Sequence, residues 1–134
     1  LEQIYKKRYG LPKSEHLVGR SDIARLYESG KKIVEQPLLV VYLPTSVSRQ
    51  IRVLFAVPKK HFKLAVDRNR YKRLLREAYR LNKESLLECA ENKGLGIDIA
   101  ISITNSERLS FASVEERMIK ILNILTETLN ENDC

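Results

Sequence analysis

The side chains of this sequence that could take part in chemistry fall into a sparse group and a dense one. His16, His61, Asp67, Asp98, Cys89 and Cys134 are scattered singly along the chain. A metal-dependent nuclease needs carboxylates that converge on a cation, and a general base needs a partner within hydrogen-bond reach. Neither histidine reads as paired with an acid for catalysis, and Asp67 and Asp98 read as a helix cap and a strand-edge residue. Two cysteines are too few for a disulfide framework, and their spacing suits no metal. No catalytic residue and no metal ligand is therefore assigned. The dense group lies between Pro58 and Arg80: Lys59, Lys60, Lys63, Arg68, Arg70, Lys72, Arg73, Arg76 and Arg80, against only Asp67 and Glu77. That segment alone carries the +7 net charge of the whole chain, while residues 1–57 are net positive and residues 81–134 net negative by an equal amount. Charge sorted in this way is the footprint of a polyanion-binding surface, whereas a merely solvated helix face interleaves both signs. His61, beside Lys59 and Lys60, is placed to touch a nucleic acid rather than to catalyse.

The spacing inside the dense group predicts how it is held. At roughly 100° per residue, Tyr71, Leu74, Leu75 and Ala78 share one stripe of a helix and face a core. Lys72, Arg73, Arg76 and Arg80 gather on the opposite side, with Asn69 among them and Arg68 and Arg70 at the flanks. Arginine suits that outer side because its planar fork binds phosphate bidentately, where lysine acts as a point charge. Asn69 offers a donor and an acceptor, which fits a nucleotide edge or a 2′-hydroxyl; the alternative is a local cap or backbone contact.

The surrounding elements follow from periodicity and punctuation. A helix is expected from about Ser21 to Ser29, capped by Ser21 or Asp22 and stopped by Gly30, with Ile23, Leu26 and Tyr27 at helical spacing. Leu38 to Leu43, ended by Pro44, and Ile51 to Val57, ended by Pro58, read as strands, and Lys32-Ile33-Val34 can add an edge strand. Asp67 to about Asn82 is the clearest helix, and Ser85 to Glu91 either continues it or forms a second one. Ile97 to Ile103 reads as a strand buried on both sides. Val114, Met118, Ile121, Leu122, Leu125 and Leu129 mark a C-terminal amphipathic helix. The order αβββαβα in one domain predicts a two-layer α/β (α+β) sandwich with a mixed, mainly antiparallel sheet.

The 134 residues suit one domain, residues 14–134, preceded by a flexible basic arm over residues 1–13. With 43% hydrophobic and 31% charged residues the chain reads as globular. No apolar run approaches the roughly 20 residues that span a bilayer, and Leu1-Glu2-Gln3-Ile4 has neither the apolar stretch of a secretory signal nor a Met. That start points to a chain trimmed or tagged at its beginning, and a cytoplasmic location is expected.

Val57-Pro58-Lys59-Lys60, followed by Ala65-Val66-Asp67-Arg68-Asn69-Arg70-Tyr71-Lys72-Arg73-Leu74-Leu75-Arg76-Glu77, closely resembles the motif of the bacterial ribonuclease P protein family. In that motif a strand ends in Val-x-Lys-Lys, and Ala-Val-x-Arg-Asn-Arg-x-x-Lys-Arg-x-x-Arg-Glu follows at fixed spacing. Ser21 to Gly30 is similar to the family's first helix, and Asp98-Ile99-Ala100-Ile101 to its last strand. The chain departs from the family at three places. Ile23 stands where the first of two aromatics usually sits, Pro58 replaces a usual Ser, and His61-Phe62-Lys63-Leu64 replaces a loop that normally contains Gly.

The resemblance implies a sandwich whose basic helix links two parallel strands by a left-handed crossover, against the right-handed connection that general rules favour in about 98% of cases. It also implies a non-catalytic protein component of an endoribonuclease, whose RNA subunit carries the catalytic site and most of the bound magnesium. The partners implied are that RNA, held by the basic helix with Lys59 and Lys60, and precursor tRNA, whose single-stranded 5′ leader enters a cleft between the first helix and the sheet. Tyr27, Ile23 and either Val41 or Tyr42, depending on register, would line the cleft. Without the resemblance, the residues alone also allow a generic RNA- or DNA-binding module of ribosomal-protein type. A major-groove DNA reader usually brings a dimerisation element and a turn between paired helices, and neither is visible.

Overall fold

The computed structural model describes residues 15–45, 50–104 and 109–131, and the expected arm at residues 1–13 lies outside them. Helix α1 spans Arg20–Ser29, followed by strands β1 (Lys31–Glu35), β2 (Leu38–Thr45) and β3 (Ile51–Ala56). Helices α2 (Ala65–Asn82) and α3 (Glu84–Lys93) lead to strand β4 (Gly96–Ile103), and helix α4 (Phe111–Glu131) closes the described chain. The second short helix is thus separate from the basic one, with Lys83 at the joint between them.

The four strands lie in the order β1-β2-β4-β3, with β4 antiparallel to β2 and parallel to β3. The expected mixed, mainly antiparallel sheet is therefore present, with α2 and α3 forming the crossover between its two parallel strands. Strand alternation sorts the side chains onto two faces. One face carries Leu38, Val40, Tyr42, Ile51, Val53, Ile97, Ile99, Ile101 and Ile103, all buried in one large core with α2, α3 and α4. The expected stripes do the burying: Tyr71, Leu75 and Ala78 of α2, with Leu74 packed beside them, and Val114, Met118, Ile121, Leu122, Leu125 and Leu129 of α4. The other face holds a much smaller cluster of Leu17, Leu26, Val41 and Ala100, with Ile23, Leu43 and Leu54 packed against it. Helix α1 is its cover.

Several local expectations are corrected. Neither Ser21 nor Asp22 caps α1; Gly19 is the cap residue, and Asp22 stands inside the first turn. Gly30 does end the helix, but with φ −73° it is not there for a left-handed turn. It is there for close approach, since a Cβ at this position would lie 2.4 Å from the Leu26 carbonyl oxygen and 2.7 Å from Val41 Cγ1. Pro44 does not end β2, which runs on to Thr45. The last β1–β2 pair is Lys31 with Tyr42, so beyond it β2 has no neighbouring strand on that side among the described residues and a residue without an N–H is tolerated. Strand β3 stops at Ala56, one residue before the expected end, although Val57 is still buried.

Candidate nucleic-acid interface

Helix α2 starts after a turn in which the Phe62 N–H donates to the Pro58 carbonyl, and Lys59 and Lys60 stand exposed on that turn. The helix has no side-chain cap: Leu64 is the cap residue, and Asp67, expected in that role, sits in the first turn. A negative charge there still suits the N-terminal end of the helix dipole. Arg68 organises the entry instead, its Nη1 donating to the carbonyls of Phe62 at 2.8 Å and Lys63 at 2.9 Å.

The other basic side chains of α2 divide by partner. Arg80 forms a two-pronged pair with Glu77, Nε to Oε1 at 3.1 Å and Nη2 to Oε2 at 2.8 Å, and this hydrogen bonding holds the Glu77 carboxyl below its ordinary value. The Arg70 guanidinium lies over the Tyr71 ring, 5.8 Å from its centroid, in cation–π range. Asn69, Lys72, Arg73 and Arg76 form no hydrogen bond or ion pair with the described residues, and Asn69, Arg73 and Arg76 are exposed. Asn69 therefore makes neither a cap nor a local backbone contact with them. The sequence-predicted set thus sits on one helix and its entry turn, with Arg68 and Arg80 engaged internally and the middle of the face open.

The second group of candidates lies on the other side of the sheet. Tyr27 projects from the last turn of α1 and is 47% exposed, with partial burial raising its phenol above the ordinary value. Ile23 packs into the small cluster beneath α1. Strand register settles the choice between Val41 and Tyr42: Val41 shares the α1 face, while Tyr42 belongs to the large core on the opposite face. Val41 is nevertheless roofed by Gly30 and only 2% exposed, so it supports the helix rather than presenting an open surface. The surface left open is the next row of the sheet, which the sequence reading missed. Pairing aligns Val34, Leu39, Ser102 and Ala56 across β1, β2, β4 and β3 on the α1 face. None of the four is buried, and Val34 is 52% exposed. This floor lies at the C-terminal end of parallel strands β3 and β4, the end at which the basic turn and α2 begin. Ligands of open α/β sheets bind at that end.

Also missed was an ion network that fastens α1 to the sheet. Asp98 is not an edge residue: it sits on central strand β4, 1% exposed. Arg52 of β3 grips it with two prongs, Nε to Oδ1 and Nη2 to Oδ2, each 2.9 Å, and reaches Asp22 of α1 with Nη1 at 3.1 Å. Asp22 in turn accepts from Arg25 at 3.0 Å. Burial opposes the Arg52 charge, but the two carboxylates outweigh it and hold the guanidinium above its ordinary value. An arginine within the apolar run Ile51-Arg52-Val53-Leu54 was the available signal, but its partner depends on a register the sequence does not print. A second buried pair joins Lys83 Nζ to Glu15 at 3.0 Å, beside fully buried Tyr79.

The profile of the ribonuclease P family matches residues 11–126 of the chain. The chain is 42% identical over 116 residues to the ribonuclease P protein component of Porphyromonas gingivalis, covering 85% of each. It is 41% identical over 115 residues to that of Chlorobium phaeobacteroides, covering 78% of each. Among solved structures, the Staphylococcus aureus RNase P protein superposes with a TM-score of 0.70 at 21% identity, covering 84% of this chain and 96% of that one. The Thermotoga maritima RNase P protein does so with a TM-score of 0.67 at 26% identity, covering 82% and 96%. With the motif spacing, the profile match and the shared architecture all in agreement, the chain belongs to the ribonuclease P protein family.

Proposed function

We propose that this chain is the protein subunit of a ribonucleoprotein ribonuclease P, binding its catalytic RNA and the 5′ leader of precursor tRNA so that the RNA removes the leader. The observation that carries this reading is the division of α2: Tyr71, Leu75, Ala78 and Tyr79 are buried, while Asn69, Lys72, Arg73 and Arg76 point away from the core with no internal partner among the described residues. Such a face has affinity to spend on phosphates without disturbing the fold. Arg68, Arg70, Arg80, Lys59 and Lys60 extend it. The leader runs over the floor beside Tyr27, where a base can stack on an exposed ring above a partly apolar surface.

Magnesium belongs to the RNA in this reading. Among the described residues no three His, Cys, Asp or Glu side chains gather where they could share a cation, and Arg52 already occupies Asp22 and Asp98. The protein contributes cations of its own, which offset repulsion between catalytic RNA and substrate. No described helix is long and apolar enough to cross a membrane, and action beside RNA in the cytoplasm is part of the proposal.

Reconstitution with a bacterial ribonuclease P RNA tests it. Purified protein alone is expected to leave precursor tRNA intact at any magnesium concentration, and adding it to the RNA is expected to lower the magnesium needed for 5′ cleavage. Cleavage by RNA-free protein, lost on Asp67→Asn or Asp98→Asn substitution, would reverse the assignment. Failure to stimulate the RNA would leave only a generic nucleic-acid-binding module.

A further inference from the structure

Where the basic turn meets α2 there is an open cavity of about 350 Å³, lined among others by His61, Phe62, Lys63, Asp67, Arg70 and Tyr71. Its size is at the lower end of the range for small-ligand sites, about 300–1,000 Å³. Buried Phe62 and Tyr71 make a firm base, their rings tilted against each other with centroids 4.8 Å apart. Lys63 and Arg70 are exposed at the rim. Between them lies Asp67, one helical turn before Arg70, whose carboxylate forms no hydrogen bond or ion pair with the described residues.

The helix dipole favours an acid in the first turn, but for phosphate alone this one is a cost, because the carboxylate repels the ligand. An ionised carboxylate accepts hydrogen bonds and donates none. Among the four RNA bases only guanine presents two adjacent donors on its Watson–Crick edge, the N1–H and the 2-amino group, at a spacing that matches the two oxygens of one carboxylate. Adenine, cytosine and uracil each place an acceptor beside their donor, which the second oxygen would repel. Lys63 and Arg70 at the rim supply cations suited to the phosphate of such a nucleotide, and the His61 ring is part of the same lining.

We infer that this cavity is a nucleotide pocket for an unpaired guanosine of RNA, with Asp67 reading the base edge and Lys63 and Arg70 holding the phosphate. The inference rests on the RNA-binding role proposed above and assigns a base preference to one place on the protein. Unpaired bases are the part of RNA that proteins read by edge contacts.

Titration of the isotopically labelled protein with the four nucleoside 5′-monophosphates, followed by amide shifts, tests it directly. Guanosine monophosphate is expected to shift the amides of residues 61–71 and to saturate at roughly tenfold lower concentration than the other three, the discrimination of a bidentate base contact. Inosine monophosphate, which lacks the 2-amino group, should lose several-fold on the unaltered protein. Asp67→Asn should abolish the preference while lowering the melting temperature by no more than the small loss of a charge at the helix N-terminus. Equal binding of all four nucleotides, or a preference that survives Asp67→Asn, overturns the pocket. Binding of catalytic RNA is measured in parallel: if it is intact while the guanosine preference is absent, the pocket falls and the subunit role stands, and the opposite pattern does the reverse. Either possible source supports the inference. Loss of the guanosine monophosphate shifts on saturation with catalytic RNA assigns the guanosine to that RNA, and loss only on adding precursor tRNA assigns it to the leader.

Discussion

The two faces of the sheet are finished differently. Beneath α2, α3 and α4 the face is closed by a large apolar core, and the surface proposed to meet RNA is the far side of α2, made of side chains that the core does not use. On the other face, among the described residues, a ten-residue helix covers a small cluster, is fastened by Arg52, Asp98 and Asp22, and leaves a row of the sheet open beside it. Binding and folding are therefore separable on the first face and entangled on the second. There, the groups that shape the floor also hold its wall.

The severest test of that difference is Asp98→Ala. It leaves Arg52 mostly buried with only Asp22 to face, and breaking one side of a buried ion pair typically costs about 3–5 kcal/mol. Urea unfolding should show a loss of that size, and hydrogen exchange should quicken in α1 well before α2 and α4. Precursor affinity should fall further than affinity for catalytic RNA under conditions where the protein stays folded. Uniform exchange across all helices would mean that α1 is no more dependent on this network than the rest. Replacing the pair together, Arg52→Met with Asp98→Leu, should recover much of the stability, since neither charge is then stranded.

Tyr27 sharpens the comparison because it belongs to the wall without being buried in it. Tyr27→Ala in the holoenzyme should weaken affinity for leader-bearing precursor by about 1–3 kcal/mol, the worth of one base stack, and leave mature tRNA almost unaffected. Tyr27→Phe should keep most of the affinity. Equal losses for both RNAs, with a lower melting temperature, would assign the ring to packing instead.

On the closed face, Tyr79 is the polar exception. Its ring meets Phe55 edge-on at 5.8 Å, and its hydroxyl has no hydrogen-bond partner among the described residues. Burial, with Glu15 nearby, pushes the phenol far above its ordinary value, so it stays protonated at any ordinary pH. An unsatisfied buried hydroxyl costs about 1 kcal/mol or more. Tyr79→Phe should therefore leave stability unchanged or raise it by about that amount in thermal or urea unfolding. A clear loss would show that the hydroxyl has found a partner.

What the sequence made legible follows the same division. The closed face was readable because it rests on periodicity: the α2 and α4 stripes and the near-continuous apolar run of β4 each declare burial through residue type and spacing alone. The basic face was readable as the remainder of the same wheel. The cleft floor was not, because Val34, Leu39, Ala56 and Ser102 come from four strands and become neighbours only through register. For the same reason Asp98 looked like an edge residue until Arg52 was brought beside it, and Tyr79 lay outside the stripe drawn from its neighbours. Asp67 and Asp22 were misread as caps because cap preference describes residue type, whereas Gly19 and Leu64 occupy those positions here without any side-chain bond.

The smallest effect on stability, and the cleanest separation of binding from folding, should come from the outer side of α2. Among the described residues Arg73 and Arg76 have no hydrogen bond or ion pair to release, and Arg76 only a charge attraction to exposed Glu77, so replacing both with Ala should move unfolding free energy by no more than about 0.5 kcal/mol each, the usual range for surface sites. Binding to catalytic RNA should weaken all the same. The plot of log affinity against log salt should flatten by up to about 0.9 for each phosphate contact removed. Arg80 supplies the internal control, since it lies on the same helix but is already paired with Glu77. To reach a phosphate it must share its charge with that carboxylate or give up the pair, so Arg80→Ala should flatten the slope less than Arg73→Ala. Removing the acid instead, by Glu77→Gln, takes a negative charge from beside Arg80 and Arg76 and should steepen the slope. If all three arginines change the slope equally and Glu77→Gln changes nothing, the face acts as a diffuse cloud of charge in which internal pairing has no say. If Arg73→Ala and Arg76→Ala lower the melting temperature while the slope stays fixed, the far side of α2 is part of the fold after all, and the two faces of the sheet differ less than their packing suggests.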